Sequence, residues 1–151
     1  MPNIRTGTLP LWGGNKSELK KQIEEYGLQE SIHLLPPTRT IGQEYQKSSL
    51  YVMSSRYEGL PLVLLEAMSY GLPLVSFGCP CGPKDIIKPE FGTLVECYDV
   101  NALAEAIMTW IGDRIMLLSG SCAARNEVQR YLRDNVMSRW DELFKRIAAG
   151  N

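Results

Sequence analysis

Histidine occurs once in this sequence, as His33, and cysteine only four times, as Cys79, Cys81, Cys97 and Cys122. The four cysteines do not form two closely spaced ligand pairs, which argues against a zinc site. Cys79 and Cys81 stand too close in an extended chain to bridge comfortably, and all four read as thiols, mostly packing residues. No apolar run is long enough to cross a bilayer. The first residues, MPNIRTGTLPLW, lack the charged and apolar blocks of a signal peptide, so the expectation is a cytoplasmic protein. Neither sign of charge dominates: the net charge is −1, and nothing in the overall charge points to nucleic-acid binding. Internal repeats, low-complexity segments and a dividing linker are also missing.

What remains is ordinary globular composition, with 44% apolar and 22% charged residues in 151. That is enough chain for one domain with a proper core. Short apolar runs alternate with amphipathic or capped segments. The spacing predicts strands at 8–12, 31–35, 49–53, 73–77 and 93–95. It predicts helices at 17–26, 41–47, 61–70, 84–88 and 101–112, followed by two C-terminal helices at about 123–134 and 137–148. Pro10 marks the first strand as an edge or irregular segment. Ser17 and Thr40 are the candidate N-caps, the long helix starts after Asp99, and Gly27 and Gly71 are the helix stops. The strands are continuously apolar, which is the pattern of a parallel sheet covered by helices on both faces. Ligands in such sheets bind beyond the carboxyl ends of the strands. The loops 36–40, 54–60 and 78–84 lie there and are expected to share one cleft.

The chain is organised around SSRYEGLPLVLLEAMSYG, residues 54–71. Glu58 sits in a turn with Gly59 and Pro61, and Glu66 lies a little over two turns along the apolar run that follows. Pro61 suits the first turn of a helix, where its missing N–H costs nothing. The residues from Leu60 to Leu65 then leave free backbone N–H groups at the helix start, which attract anions such as phosphate. Gly59 lets a ligand approach the backbone closely. A carboxylate at a site that also attracts anions has another natural purpose, accepting hydrogen bonds from hydroxyl groups. A phosphate flanked by two hydroxyl-rich groups is a nucleotide sugar. The plainer alternative is a buried helix with a cap-like Glu58 and an incidental Glu66.

YEGLPLVLLEAMSYGLPLV, with SSLYVMSS before it and FGCPCGPKDII after it, resembles the donor-binding half of GT-B retaining glycosyltransferases of family 4, the glycosyl transferases group 1. The hallmark of that family is a pair of glutamates separated by seven residues, matched here by Glu58 and Glu66. The resemblance implies a Rossmann-like parallel sheet sandwiched by helices, the C-terminal half of a GT-B fold without its first strand. It implies a single, partial nucleotide-sugar-binding domain over 1–151. By the same resemblance Glu66 takes the ribose hydroxyls, and Glu58, the catalytic candidate, lies near the transferred sugar. The amides of Gly59, Leu60 and Leu62 around Pro61 hold the diphosphate, and backbone groups of Leu34, Leu35 and Pro36 meet the base, with Ile41 and Tyr45 as walls. Lys84 is a candidate phosphate contact, and Asp85 stands where the family often has glutamate. No metal or other cofactor is implied, and UDP-sugar is the favoured donor.

Family enzymes carry a second Rossmann-like domain that holds the acceptor, and no segment here matches it. The resemblance therefore implies a fragment that binds nucleotide weakly and does not transfer sugar alone. In the whole enzyme peripheral attachment to the inner membrane is compatible with such a domain. His33 reads as a partly buried strand residue, and Arg56 as a solvated arginine able to reach a phosphate. Met137, Trp140, Phe144 and Ile147 share one helical face and read as a core stripe. Two other functions stay open. A nucleotide-sugar epimerase of the same architecture would need more histidine and acidic chemistry than one histidine supplies. A non-catalytic module binding a nucleotide or a protein needs only the fold.

Overall fold

The computed structural model describes residues 8–11 and 15–150. Trp12, Gly13 and Gly14, expected as strand end and turn, and Arg5 lie outside the described residues. The chain divides into two compact units, residues 1–41 and 42–151.

In the first unit β1 (Leu9–Leu11) pairs in parallel with β2 (Ile32–Leu34), Leu9 opposite Ile32 and Leu11 opposite Leu34. Pro10 falls opposite His33. The connection is α1 (Lys16–Glu25), which buries Ile23. Ser17, expected as its cap, instead donates to Asn15 Oδ1 at 2.7 Å, and Asn15 takes the N-cap position. Gly27 stops the helix at φ 64°. His33 is exposed, because strand alternation turns it away from Ile32 and Leu34.

In the second unit β3 (Tyr51–Met53), β4 (Leu74–Phe77) and β5 (Gly92–Val95) form a parallel sheet in that order. It begins with α2 (Ile41–Lys47), whose first residue closes the other unit. The crossovers are α3 (Leu62–Ser69) and α4 (Pro83–Ile86). Every residue of the central strand β4 is buried. Val75 and Phe77 pack with Leu103, Ala106 and Trp110 of α5 (Val100–Gly112), while α3 also packs on β4 and buries Leu64, Ala67 and Met68. A strand covered on both faces needs no polar side, which is why its sequence reads as an apolar run. Its one polar residue, Ser76, satisfies its hydroxyl on the Phe77 carbonyl at 2.9 Å. The Trp110 indole N–H donates to Thr93 Oγ1 at 2.9 Å and ties α5 to β5.

The C-terminal helices depart from expectation. Helix starts at Arg114, not at about 123: α6 (Arg114–Val128) follows α5 after Asp113 alone. Asp113 Oδ1 accepts from the N–H groups of Ile115 and Met116, both at 2.9 Å, so one residue ends one helix and caps the next. Gly120 inside α6 is buried, and a Cβ there would come within 2.6 Å of the Trp110 ring. The close approach of the indole accounts for a residue that costs a helix about 0.5–1 kcal/mol relative to alanine.

After a 3-10 turn (Gln129–Tyr131) the chain ends in α7 (Arg133–Ala148). None of its residues is buried. Met137, Trp140, Phe144 and Ile147 stay 49–62% exposed, so the expected core stripe is a surface stripe among the described residues. No helix among them is long and apolar enough to cross a membrane.

Leu64 is fully buried beneath α3. Leu64→Ala should therefore cost about 2–5 kcal/mol of stability, read as a lowered urea midpoint at unchanged slope.

Candidate functional site

Parallel pairing aligns the carboxyl ends of β3, β4 and β5, and the loops that leave β3 and β4 meet there. The 54–61 loop carries Glu58, half-buried, and Gly59 and Leu60, both exposed, and ends on the buried Pro61. Pro61 is the N-cap of α3 and not its first helical residue, with φ −74° and ψ 87°. Its carbonyl accepts from the Leu64 N–H at 3.0 Å. The N–H groups of Gly59, Leu60, Leu62 and Val63 find no protein partner among the described residues. They form the unsatisfied start of an eight-residue helix.

The loop after β4 closes on this turn. Gly82 has φ 89°, and a Cβ there would lie 2.6 Å from both the Gly59 carbonyl oxygen and Pro61 Cδ. Only glycine meets both requirements, the left-handed backbone and the contact. Gly82 is also the N-cap of α4, which runs from Pro83 to Ile86; Asp85 lies inside that helix and does not cap it. Cys79 binds the same two loops from below. It is buried, and its thiol donates to the Ser55 carbonyl at 2.8 Å. Burial pushes that thiol up, and the neighbouring Cys97 adds to the effect. No spacing signal in the sequence announces this tether, because its partner is a backbone carbonyl 24 residues away.

Glu66 projects from the exposed side of α3. Its Oε2 accepts from the Tyr45 hydroxyl at 3.3 Å. Tyr45 is buried, with ring centroids 5.9 Å from Tyr51, edge-on, and 5.4 Å from Tyr70. Burial foremost, then the Tyr51 phenol and the Glu66 charge, hold the Tyr45 phenol well above its ordinary value of 10. Burial, then Glu66, then Glu58 raise Tyr51 as well. Both glutamates thus lie within electrostatic reach of one phenol at β3. Neither makes an ion pair among the described residues. Tyr45, expected as a wall for a base, directs its side chain to the glutamate 21 residues along the chain.

The nearby cations are Arg56 and Lys84. Arg56 is exposed, and its guanidinium lies 5.1 Å from the centroid of the Tyr98 ring. Lys84 is exposed, with its stem beside Gly78. It lines an open groove of about 640 Å³ with Gly78, Pro80, Leu94, Val95, Glu96 and Cys97. The two glutamates stand outside that lining. Leu34, Leu35 and Pro36 belong to the first compact unit, at the carboxyl end of β2, where the Leu35 N–H donates to the Leu11 carbonyl at 3.0 Å. Among the described residues no cluster of three histidine, cysteine or acidic side chains could hold a metal ion.

The family model for glycosyl transferases group 1 matches residues 8–131. The chain belongs to that family. Among curated relatives, an exopolysaccharide phosphotransferase of Streptomyces coelicolor is 37% identical over 139 residues, which is 91% of this chain and 15% of that protein. The amylovoran biosynthesis glycosyltransferase AmsD of Erwinia amylovora is 35% identical over 133 residues, 87% of this chain and 37% of that protein. The chain thus spans well under half the length of both. Among solved structures, a variant of Staphylococcus aureus TarM in complex with fondaparinux, α-GlcNAc-glycerol and UDP superposes with a TM-score of 0.81 at 27% identity. The match covers 91% of this chain and 29% of that one. The group 1 fold, parallel strands flanked by helices, is the Rossmann-like arrangement of the C-terminal domain in GT-B glycosyltransferases.

Two expected outcomes follow from this geometry. Gly82→Ala should lower stability by more than about 1 kcal/mol through backbone strain and the forced contact, and amide NMR shifts should move at Gly59, Leu60 and Leu62. Tyr45 releases its proton more readily in the unfolded chain than in the folded one. Its contribution to stability is fully present below pH 10 and is lost as pH rises through the elevated folded value. In urea titrations above pH 10, Tyr45→Phe should therefore lose stability less steeply than the parent.

Proposed function

We propose that this chain is the donor-binding part of a retaining glycosyltransferase that moves a sugar from a UDP-sugar to a glycan or lipid-linked acceptor. The observation that carries the reading is the grouping at the end of β3. Along the chain, unpartnered amides at the start of α3 fall between Glu58 and Glu66, two carboxylates that no cation neutralises among the described residues. Amides at a helix start suit a diphosphate. An uncompensated, solvent-facing carboxylate such as Glu66 suits the vicinal hydroxyls of ribose. Glu58, half-buried in the loop beside those amides, suits the hydroxyls of the transferred sugar.

In this reading the chain's own residues do three things. The amides of Gly59, Leu60 and Leu62 take up charge on the diphosphate as the bond to the sugar weakens, aided by the positive end of α3. Lys84 supplies a cation from α4, just after the loop that leaves β4. Gly82 and the Cys79 thiol hold that loop and the 54–61 turn together, so the donors are preorganised. No divalent metal takes part. The acceptor is held by a part of the enzyme beyond this chain, in the cytoplasm. The UDP in the TarM complex supports the choice of nucleotide. The relative from S. coelicolor takes its name from a protein of which this chain spans 15%, so that name gives no reason to prefer phosphoryl transfer here.

Titrating UDP and UDP-sugars against the purified chain tests the reading. Glu66→Ala should weaken UDP about tenfold or more, the loss expected for hydrogen bonds to a charged group. Glu58→Ala should leave UDP nearly unchanged and weaken the sugar-bearing forms. Equal effects of both substitutions on UDP would contradict these roles, and a folded chain that binds no nucleotide would favour a non-catalytic module.

A further inference from the structure

We propose that Tyr45 is a positioning residue for Glu66: its hydroxyl, donating to Oε2 at 3.3 Å, sets the plane of the carboxylate and thereby the preference for a ribonucleotide over its 2′-deoxy counterpart. The proposal rests on the donor-site reading of Glu66 and deepens it. Glu66 stands on the exposed side of α3, where a glutamate side chain is free to sample several rotamers. Among the described residues the Tyr45 hydroxyl is the one hydrogen-bond donor to that carboxylate.

Tyr45 itself has little freedom. It is only 6% exposed, held edge-on by Tyr51 and against Tyr70. A rigid donor therefore acts on a mobile acceptor, and the information flows from the aromatic cluster to the carboxylate. The bond is longer than the roughly 2.7–2.8 Å common for hydroxyl–oxygen pairs, so it orients more than it stabilises. A carboxylate has about four lone-pair sites. Tyr45 occupies one, on Oε2, and leaves about three for two vicinal hydroxyls. A carboxylate without this anchor still attracts a diol but pays rotamer entropy to meet both hydroxyls together. The 2′-hydroxyl contact is then the one that weakens. The phenol also keeps its proton across the neutral range, since burial and the adjacent charge oppose ionisation.

The test compares UDP with 2′-deoxy-UDP on the purified chain by calorimetry or NMR titration. The parent should prefer UDP, and Glu66→Ala should abolish the preference. Tyr45→Phe, which keeps the ring and loses the donor, should reduce the preference roughly three- to tenfold, the range expected for one hydrogen bond. Tyr51→Phe removes a neighbouring phenol that makes no bond to Glu66 and should leave the ratio unchanged. Placing 4-aminophenylalanine at position 45 restores a donor and should restore the ratio to within about twofold of the parent. If Tyr45→Phe does not fold, 4-methoxyphenylalanine at position 45, which keeps the oxygen and loses the donor, should give the same fall in the ratio, and an unchanged ratio there overturns the positioning role. A preference that survives Tyr45→Phe, or that falls equally in Tyr51→Phe, overturns the positioning role and leaves the donor site standing. A parent that binds UDP and 2′-deoxy-UDP alike, or neither, overturns the donor-site reading and the proposal with it.

Discussion

Parallel pairing of three short strands is the constraint on which the candidate site depends. Strands that run the same way end at the same edge, so the loops after β3 and β4 leave side by side. The register places Met53 opposite Ser76 and Phe77 opposite Val95. From there the contact of Gly82 on Gly59 and Pro61, and the bond from the Cys79 thiol to Ser55, close the two loops into one structure. Central burial maintains the register. With β4 covered by α5 on one face and α3 on the other, a slip of one residue would exchange Val75 and Phe77 with Leu74 and Ser76.

The glutamate pair depends on a different balance. In the proposed reading, a carboxylate that meets hydroxyls is accessible yet held still. Glu66 gains access by standing on the exposed side of α3, the side opposite Leu64, Ala67 and Met68. It gains order from the buried Tyr45, and no lysine or arginine among the described residues competes for it. The three tyrosines behind it, at 45, 51 and 70, form a small aromatic cluster that touches α2, β3 and the end of α3. The ion triad of Lys88, Glu127 and Arg130 lies on other elements, and there the carboxylate is compensated by both cations and held below the usual range. The contrast separates a carboxylate built into the scaffold from one left available.

The order of elements was legible in the sequence because each carries local signals. Asp99, after which the long helix is expected to start, caps α5 through the Ala102 N–H at 2.9 Å. Gly27 and Gly71 follow their helices at φ 64° and 77°. The expectation departs from the structure where packing decides: the apolar face of α7 reads as core although its residues remain exposed. Periodicity reports that a face is apolar; it carries no information about what covers that face.

The sequence by itself determined the α/β alternation, the family, and the two glutamates with their glycine–proline turn, because those features are set by residue type and spacing along a single segment. Tertiary structure alone decided that Tyr45 holds Glu66, that Gly82 packs on Gly59, and that a cysteine thiol pins the loop through a backbone carbonyl. The partners in those contacts lie 21 to 24 residues apart along the chain. Their meeting follows from strand register and the direction of crossover helices, which no local pattern of side chains encodes.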